Sequence, residues 1–296
     1  MSNYRRAARF CQAGKCVKDI DLALNVSYNM LMRIERLKLK KLNNTRDLGG
    51  FPAENGKRIK YGKLIRSGKL YKLPESTVAA LESYNITTVI DLRIEREKFE
   101  YPSTEIKGAK LVNLPLVCTA TVGITHTKSM AGTMLKESKR IKTEFGNADN
   151  YMQSVYELLL FGEQSQKKFK EFLDLATENE GCILWHCNAG KDRTGICAML
   201  LESILGVDEN LIIQDYCISD KFQFRRRFWQ KAGLVIAPIP LRFKQILYAL
   251  MAAKPQYITG AMTEIKKRYG SVVEYCKQAL NVTEEQIKIL KEKYLE

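Results

Sequence analysis

The sequence predicts an α/β sandwich: a largely parallel central sheet flanked by helices, with a helical C-terminal part. Three observations lead there. Short apolar runs bounded by turn residues alternate with helical patterns, which implies strands covered by helices. Between Gly181 and Gly206 an apolar run, a tight glycine-holding loop and a longer apolar run follow one another, the pattern of strand, loop and helix. Beyond Gly206 the pattern is helical to the end.

Taken in order, residues 1–32 read as an N-terminal extension with a helical pattern over Ile20–Arg33, and residues 33–296 as one domain. Leu37-Lys38-Leu39-Lys40 alternates like a strand. Asn55-Gly56 is a two-residue hairpin signal between Phe51 and a strand ending near Arg66. Pro74–Tyr84 reads as a helix, then Thr87–Leu92 and Lys110–Val117 as strands. Thr119–Asn150 is basic and lacks a period, which marks a loop or lid; residues 221–254 are a second lid or insert candidate. Tyr151–Leu160 and Gln166–Thr177 are helical. Gly181–Trp185 is the strand before the loop, and Ile196–Leu205 the core helix after it, with Gly206 as its C-terminal stop. Thr283-Glu284-Glu285-Gln286 forms a capping box for the last helix.

The loop itself runs His186-Cys187-Asn188-Ala189-Gly190-Lys191-Asp192-Arg193-Thr194-Gly195. A strand, a tight turn and a helix N-terminus aim backbone N–H groups and the positive end of a helix dipole at one point, where a phosphate dianion fits. Cysteine is a poor nucleophile until ionised, and amides, a helix N-terminus and a cation all favour the thiolate. Cys187 is then placed to attack phosphorus and form a phosphocysteine, splitting one hard displacement into two easier ones. Arg193 offers a planar fork matching two phosphate oxygens and stays charged at any working pH. Gly190 lets the backbone turn and approach the ligand, and Thr194 is placed to donate a hydrogen bond to the departing sulfur. A lone cysteine is more often core than catalytic, but here it stands inside a ten-residue constellation. The nucleotide-binding loop is excluded because Asp192 follows Lys191 where Ser or Thr is required. With only His126 and His186 and no C-x-x-C pair, the sequence offers no metal site and calls for no cofactor.

This HCxxGKDRTG loop resembles the signature of the atypical bacterial cysteine-dependent tyrosine/lipid phosphatases, within the protein-tyrosine-phosphatase superfamily. Asn44-Thr45-Arg46-Asp47-Leu48-Gly49-Gly50 is similar to that family's NxRDLGG motif, and Leu64-Ile65-Arg66-Ser67 with Leu70 to its IRSxxL strand. Val89-Ile90-Asp91-Leu92-Arg93 followed by Glu97, Asp215-Tyr216 with Ser219, and Tyr269-Gly270-Ser271 with Tyr275 match further landmarks in order. The resemblance covers the chain from about Arg33 to its end and implies a protein-tyrosine-phosphatase-like sandwich. It implies hydrolysis of phosphotyrosine in proteins and, in addition, of phosphoinositide lipids. Asn188, Ala189, Gly190, Lys191 and Thr194 would line the phosphate, with Lys191 holding a further phosphate of a phosphoinositide. Arg46, Asp47 and His186 would brace the loop from behind.

The leaving oxygen needs a proton, so a carboxylic acid must stand within hydrogen-bond reach. Asp192 lies inside the loop, where the resemblance points. Asp91 ends a strand, where α/β sheets build their sites, and competes with an ion pair to Arg93 or Arg46. Asp192 is preferred and Asp91 kept.

Composition agrees with a large enzyme-sized core. A chain of 296 residues buries about three quarters of its unfolded surface, and 45% hydrophobic with 27% charged content is that of an ordinary globular protein. No apolar run approaches the ~18 residues of a membrane span, and the basic start lacks the apolar core of a signal peptide. The 8 cysteines are irregularly spaced; Cys182, Cys197 and Cys276 fall in apolar patterns and read as core, which suits a reducing cytoplasm. The net charge of +15 concentrates in 128–142 and in 221–231, where Arg225, Arg226 and Arg227 lie between Phe224 and Phe228. Such a mix suits an acidic substrate or peripheral contact with an anionic membrane; no nucleic-acid-reading motif accompanies it. The alternatives to an enzyme are a phosphate-binding module without turnover and a membrane-surface binder. Nucleophile, arginine and both aspartates are all present, which favours turnover.

Overall fold

A computed structural model describes residues 34–116, 140–223 and 241–296, omitting the side chains of 242 and 243. Within it Arg36–Glu296 is a compact unit of its own. The helical pattern at Ile20–Arg33, most of the Thr119–Asn150 lid candidate and the Arg225–Arg227 cluster lie outside the described residues.

Five strands form one sheet in the order β1-β2-β5-β3-β4: β1 Arg46–Asp47, β2 Leu64–Ser67, β3 Ile86–Asp91, β4 Lys110–Asn113 and β5 Cys182–His186. Only β1 is antiparallel to its neighbour. The central strand β5 is buried throughout, as a parallel strand covered on both faces must be. Its last residue, His186, is level with Ser67 of β2 and Asp91 of β3. The carboxyl ends of three strands therefore meet at one edge, where an α/β sheet places its ligand.

Helices cover both faces. On one, Leu81 of α1 (Glu75–Glu82) joins Ile65, Val89 and Leu184 in an apolar cluster. On the other lies α5 (Asp192–Ile204), apolar and buried almost all round. Trp185 packs its ring edge-on to Phe172 of α4 (Glu163–Glu178), centroids 5.7 Å apart. Helices α3 (Ala148–Phe161), α6 (Glu209–Phe222), α7 (Leu241–Met251), α8 (Pro255–Tyr269), α9 (Val272–Gln278) and α10 (Glu284–Tyr294) complete the helical side. The capping box of α10 forms as the sequence predicts, the Thr283 side chain accepting from Gln286 N.

Several expectations need correction. Leu37–Lys40 is not a strand: Leu39 N–H closes a tight turn onto Leu37 O at 2.9 Å, and Lys41 takes a φ of +57°. Its alternation instead places Leu37 and Leu39 against the apolar cluster. Asn55 and Gly56 do take the positive φ that their turn chemistry favours, +55° and +73°. They close a short hairpin around the Pro52–Arg58 bridge, with Ala53 N–H on Lys57 O at 2.9 Å and Ile59 N–H on Phe51 O at 3.0 Å, but β2 beyond it pairs with β1. Strand β4 ends at Asn113 instead of Val117, two residues before Pro115, which has no N–H to offer a ladder. Helix α2 (Glu95–Glu100) was not anticipated, since six residues without an apolar period leave no signal.

Candidate active site

Cys187 follows β5 directly and is 3% exposed. The loop it opens is held from outside by its carbonyls. Asn188 O accepts from Lys69 N–H at 3.3 Å. Ala189 O accepts from Asn44 Nδ2 at 3.1 Å and Gln223 Nε2 at 2.9 Å. Gly190 O accepts from Asn44 Nδ2 at 2.7 Å and Arg66 Nη2 at 3.2 Å. A trans peptide points its N–H opposite its C=O, so tying three successive carbonyls outward turns the following N–H groups inward. The Gly190 N–H meets Cys187 Sγ at 3.2 Å. Glycine is required at this position: φ is +66°, and a Cβ would stand 2.5 Å from Ser67 O.

The brace behind the loop is a buried charge cluster. Asp215, from α6, receives Arg46 Nε at 2.5 Å and Arg66 Nη1 on its other oxygen. Arg46 Nη1 in turn holds Asn44 Oδ1 at 2.7 Å, fixing the amide that grips the loop. Burial favours a neutral Asp215, but the two guanidiniums hold its carboxyl below the usual range. Asp47, expected to share this role, does not reach the loop. Successive strand residues face opposite ways, and its oxygens accept from Gly49 N–H at 2.9 Å and Gly62 N–H at 2.6 Å.

Arg193 sits in the first turn of α5 and is aimed by α2. Its Nη1 and Nη2 donate to Glu97 Oε2 and Oε1 at 2.7 and 2.8 Å, and Nη1 also to Leu92 O at 3.2 Å. Burial opposes the charge on Arg193, but the Glu97 hydrogen bonds and the nearby Cys187 sulfur outweigh it and raise its pKa. Glu97 is held low by the same pair, against its own burial.

The two aspartates occupy different surroundings. Asp91 is 1% exposed; its Oδ1 accepts from Arg93 N and Nε, at 3.0 and 2.9 Å, and its Oδ2 from Arg93 Nη2 and Ser103 Oγ, at 2.7 and 3.1 Å. Burial is overcome by these hydrogen bonds, so Asp91 stays ionised. The sequence offered it as an acid; the structure gives it an ion pair. Asp192 is 28% exposed and accepts from Tyr156 Oη at 2.6 Å.

Three further residues of the loop are placed as follows. Lys191 is 1% exposed and turned away from the cradle: its Nζ donates to Leu250 O at 2.8 Å and Ala252 O at 2.7 Å. These carbonyls at the end of α7 lack helical partners and attract a cation, so Lys191 does not face a second phosphate. Thr194 is buried, and its Oγ1 makes no hydrogen bond among the described residues. His186 is buried behind the loop, its Nδ1 3.3 Å from Cys187 O and Nε2 3.7 Å from Asp91 Oδ2. Burial, only partly offset by Asp91, pushes its pKa down to about 4. No metal-binding cluster occurs among the described residues.

Asn44, Arg66, Glu97 and Asp215 were quoted in the resembling segments without a role. Charged and amide groups inside apolar runs are the signal that could have found them. Tyr156 and Gln223 leave no such trace in one sequence.

A thiol under inward amides, with an aimed guanidinium at the carboxyl ends of a parallel sheet, defines a site for a phosphate ester at sulfur. The chain belongs to the tyrosine phosphatase family, whose profile matches residues 37–296. It is 29% identical over 250 residues to a Cupriavidus necator protein whose name proposes a tyrosine-protein phosphatase, covering 83% of this chain and 85% of that one. It is 26% identical over 250 residues to the triple specificity protein phosphatase PtpB of Mycobacterium tuberculosis, covering 77% and 89%. P. aeruginosa TpbA in complex with pTyr matches at 17% identity and a TM-score of 0.26, over 66% of this chain and 91% of that one; a superposition that weak adds nothing. The protein is thus an enzyme, a protein-tyrosine phosphatase.

Proposed function

We propose that residues 33–296 hydrolyse phosphotyrosine through a phosphocysteine. Cys187 Sγ attacks phosphorus, the bond to the leaving oxygen breaks, and Asp192 gives that oxygen its proton. Water then attacks phosphorus, Asp192 takes the water's proton, the P–S bond breaks and inorganic phosphate leaves with the thiolate restored. Arg193 grips two phosphate oxygens on the side not taken by Glu97, and the inward amides hold the rest. The observation that carries this reading is the tethering of the Asn188, Ala189 and Gly190 carbonyls, which turns the amides toward Cys187 Sγ. Asp192 is preferred over Asp91 because it is the one not neutralised by an arginine. A thiol that works free suits a reducing compartment such as the cytoplasm.

Phosphoinositides are the second proposed substrate class, supported by the net charge of +15, which attracts anionic surfaces. Lys191 is not part of that proposal. Released phosphate from a panel of phosphotyrosine peptides and phosphoinositides tests both classes. The reading expects turnover of the peptides that Cys187→Ser abolishes; peptide turnover surviving in that variant contradicts it.

A further inference from the structure

Asp192, 28% exposed, is held through one oxygen of its carboxyl. Its Oδ1 accepts from Tyr156 Oη at 2.6 Å, and Lys191 Nζ stands 3.2 Å from the same oxygen. Among the described residues both of these contacts of the carboxyl fall on Oδ1. Tyr156 is itself fixed. It is 1% exposed, on the buried face of α3. Its ring meets Tyr216 of α6 nearly at right angles, centroids 6.3 Å apart, and lies 6.1 Å from the ring of Tyr257 in α8. Its oxygen is 2.7 Å from Tyr216 Oη. With the Tyr156 hydrogen given to Asp192, Tyr216 is the donor of that pair, and the relay runs Tyr216, Tyr156, Asp192 Oδ1.

We infer that Tyr156, backed by Tyr216, is a positioning residue for the acid: it locks Oδ1 so that the proton rides on Oδ2, toward the leaving oxygen. A carboxyl can carry its acidic proton on either oxygen and rotate between them. Two donors on Oδ1 make that oxygen the poorer place for a proton and leave Oδ2 as the donor. Tyr156 touches neither phosphate nor leaving group in this scheme and acts through Asp192. The inference rests on the reading of Asp192 as general acid.

The test measures kcat and KM for aryl phosphates spanning good and poor leaving groups, with wild type, Tyr156→Phe, Asp192→Asn and the double variant. A mispositioned acid hurts poor leaving groups most. Tyr156→Phe should lower kcat about tenfold on poor leaving groups and less than about twofold on good ones, with KM nearly unchanged. In the Asp192→Asn background the same substitution should add nothing, since its effect passes through the carboxyl. A steep slope for Asp192→Asn with a wild-type slope for Tyr156→Phe overturns the positioning role alone. A flat slope for Asp192→Asn overturns the acid assignment and this inference with it. Should Tyr156→Phe fail to fold, Tyr216→Phe carries the test. It leaves the Asp192 contact but unlocks the phenol, and a steepening smaller than that of Asp192→Asn is expected; an unchanged slope there contradicts the relay.

Discussion

Cys187 stands within 3.2 Å of the Gly190 N–H, and a serine in its place keeps the amides while losing the ionisable sulfur. Cys187→Ser should therefore bind phosphate with little change and turn over less than about a thousandth as fast. Arg193 is held by both oxygens of Glu97, so its orientation depends on a residue from another element. Arg193→Lys keeps the charge but not the fork; kcat/KM should fall on the order of 10²–10³-fold, the cost of losing an aimed transition-state donor. His186 makes a separate statement about pH. Burial lowers its pKa to about 4 in the native protein, against about 6.5 unfolded. Between those values the unfolded chain binds a proton that the native state refuses, so stability is full above the unfolded value and falls as pH drops. Urea unfolding should show a loss of about 2 kcal/mol between pH ~7 and ~5 from this group. Asp91, Glu97 and Asp215, all held low by arginines, lose their contributions only at lower pH. A stability flat over the first interval would show that His186 is not buried in neutral form.

The loop works because several elements converge on it: Asn44, just before β1, and Arg66 of β2 hold its carbonyls, Glu97 of α2 aims Arg193, and Asp215 of α6 fixes Arg46 and Arg66 behind it. Asp215→Asn leaves two buried guanidiniums facing an amide. Breaking a buried pair by removing one partner costs about 3–5 kcal/mol, so chemical denaturation should show a loss of that size with a drop in Tm. Asn44→Ala should weaken phosphate binding more than stability, since what it frees is the loop's carbonyls. The strand-loop-helix at Gly181–Gly206 was legible because a buried strand and a core helix are both continuous apolar runs with glycine at their ends. Leu37–Lys40 was misread because alternation reports burial on one side and not whether a ladder partner exists. Tyr156 was invisible for a related reason: a tyrosine on an apolar helix face reads as core, and only the fold reveals which carboxylate its hydroxyl meets.

As a whole, the chain carries a net charge of +15, and the described residues include no helix long and apolar enough to cross a membrane. Surface charge acts over about a Debye length, ~10 Å at 0.1 M salt. Phosphoinositide hydrolysis in anionic vesicles should therefore fall steeply with added salt, while phosphotyrosine peptide hydrolysis falls less. Equal salt dependence would remove the membrane from the account. The Lys191 side chain, pinned to the end of α7, should on substitution by alanine lower both activities alike, the result of a loosened loop. The family and the proposed nucleophile were legible because ten contiguous residues carry them; the aim of Lys191 was not, since it depends on carbonyls about sixty residues away. The most direct measurement is to quench turnover of an aryl phosphate in acid and map the phosphorylated peptide by mass spectrometry. The account predicts one phosphoryl group on Cys187, absent from Cys187→Ser and accumulating in Asp192→Asn with a good leaving group. Turnover with no phosphorylated protein, or with the phosphate on another residue, would contradict it.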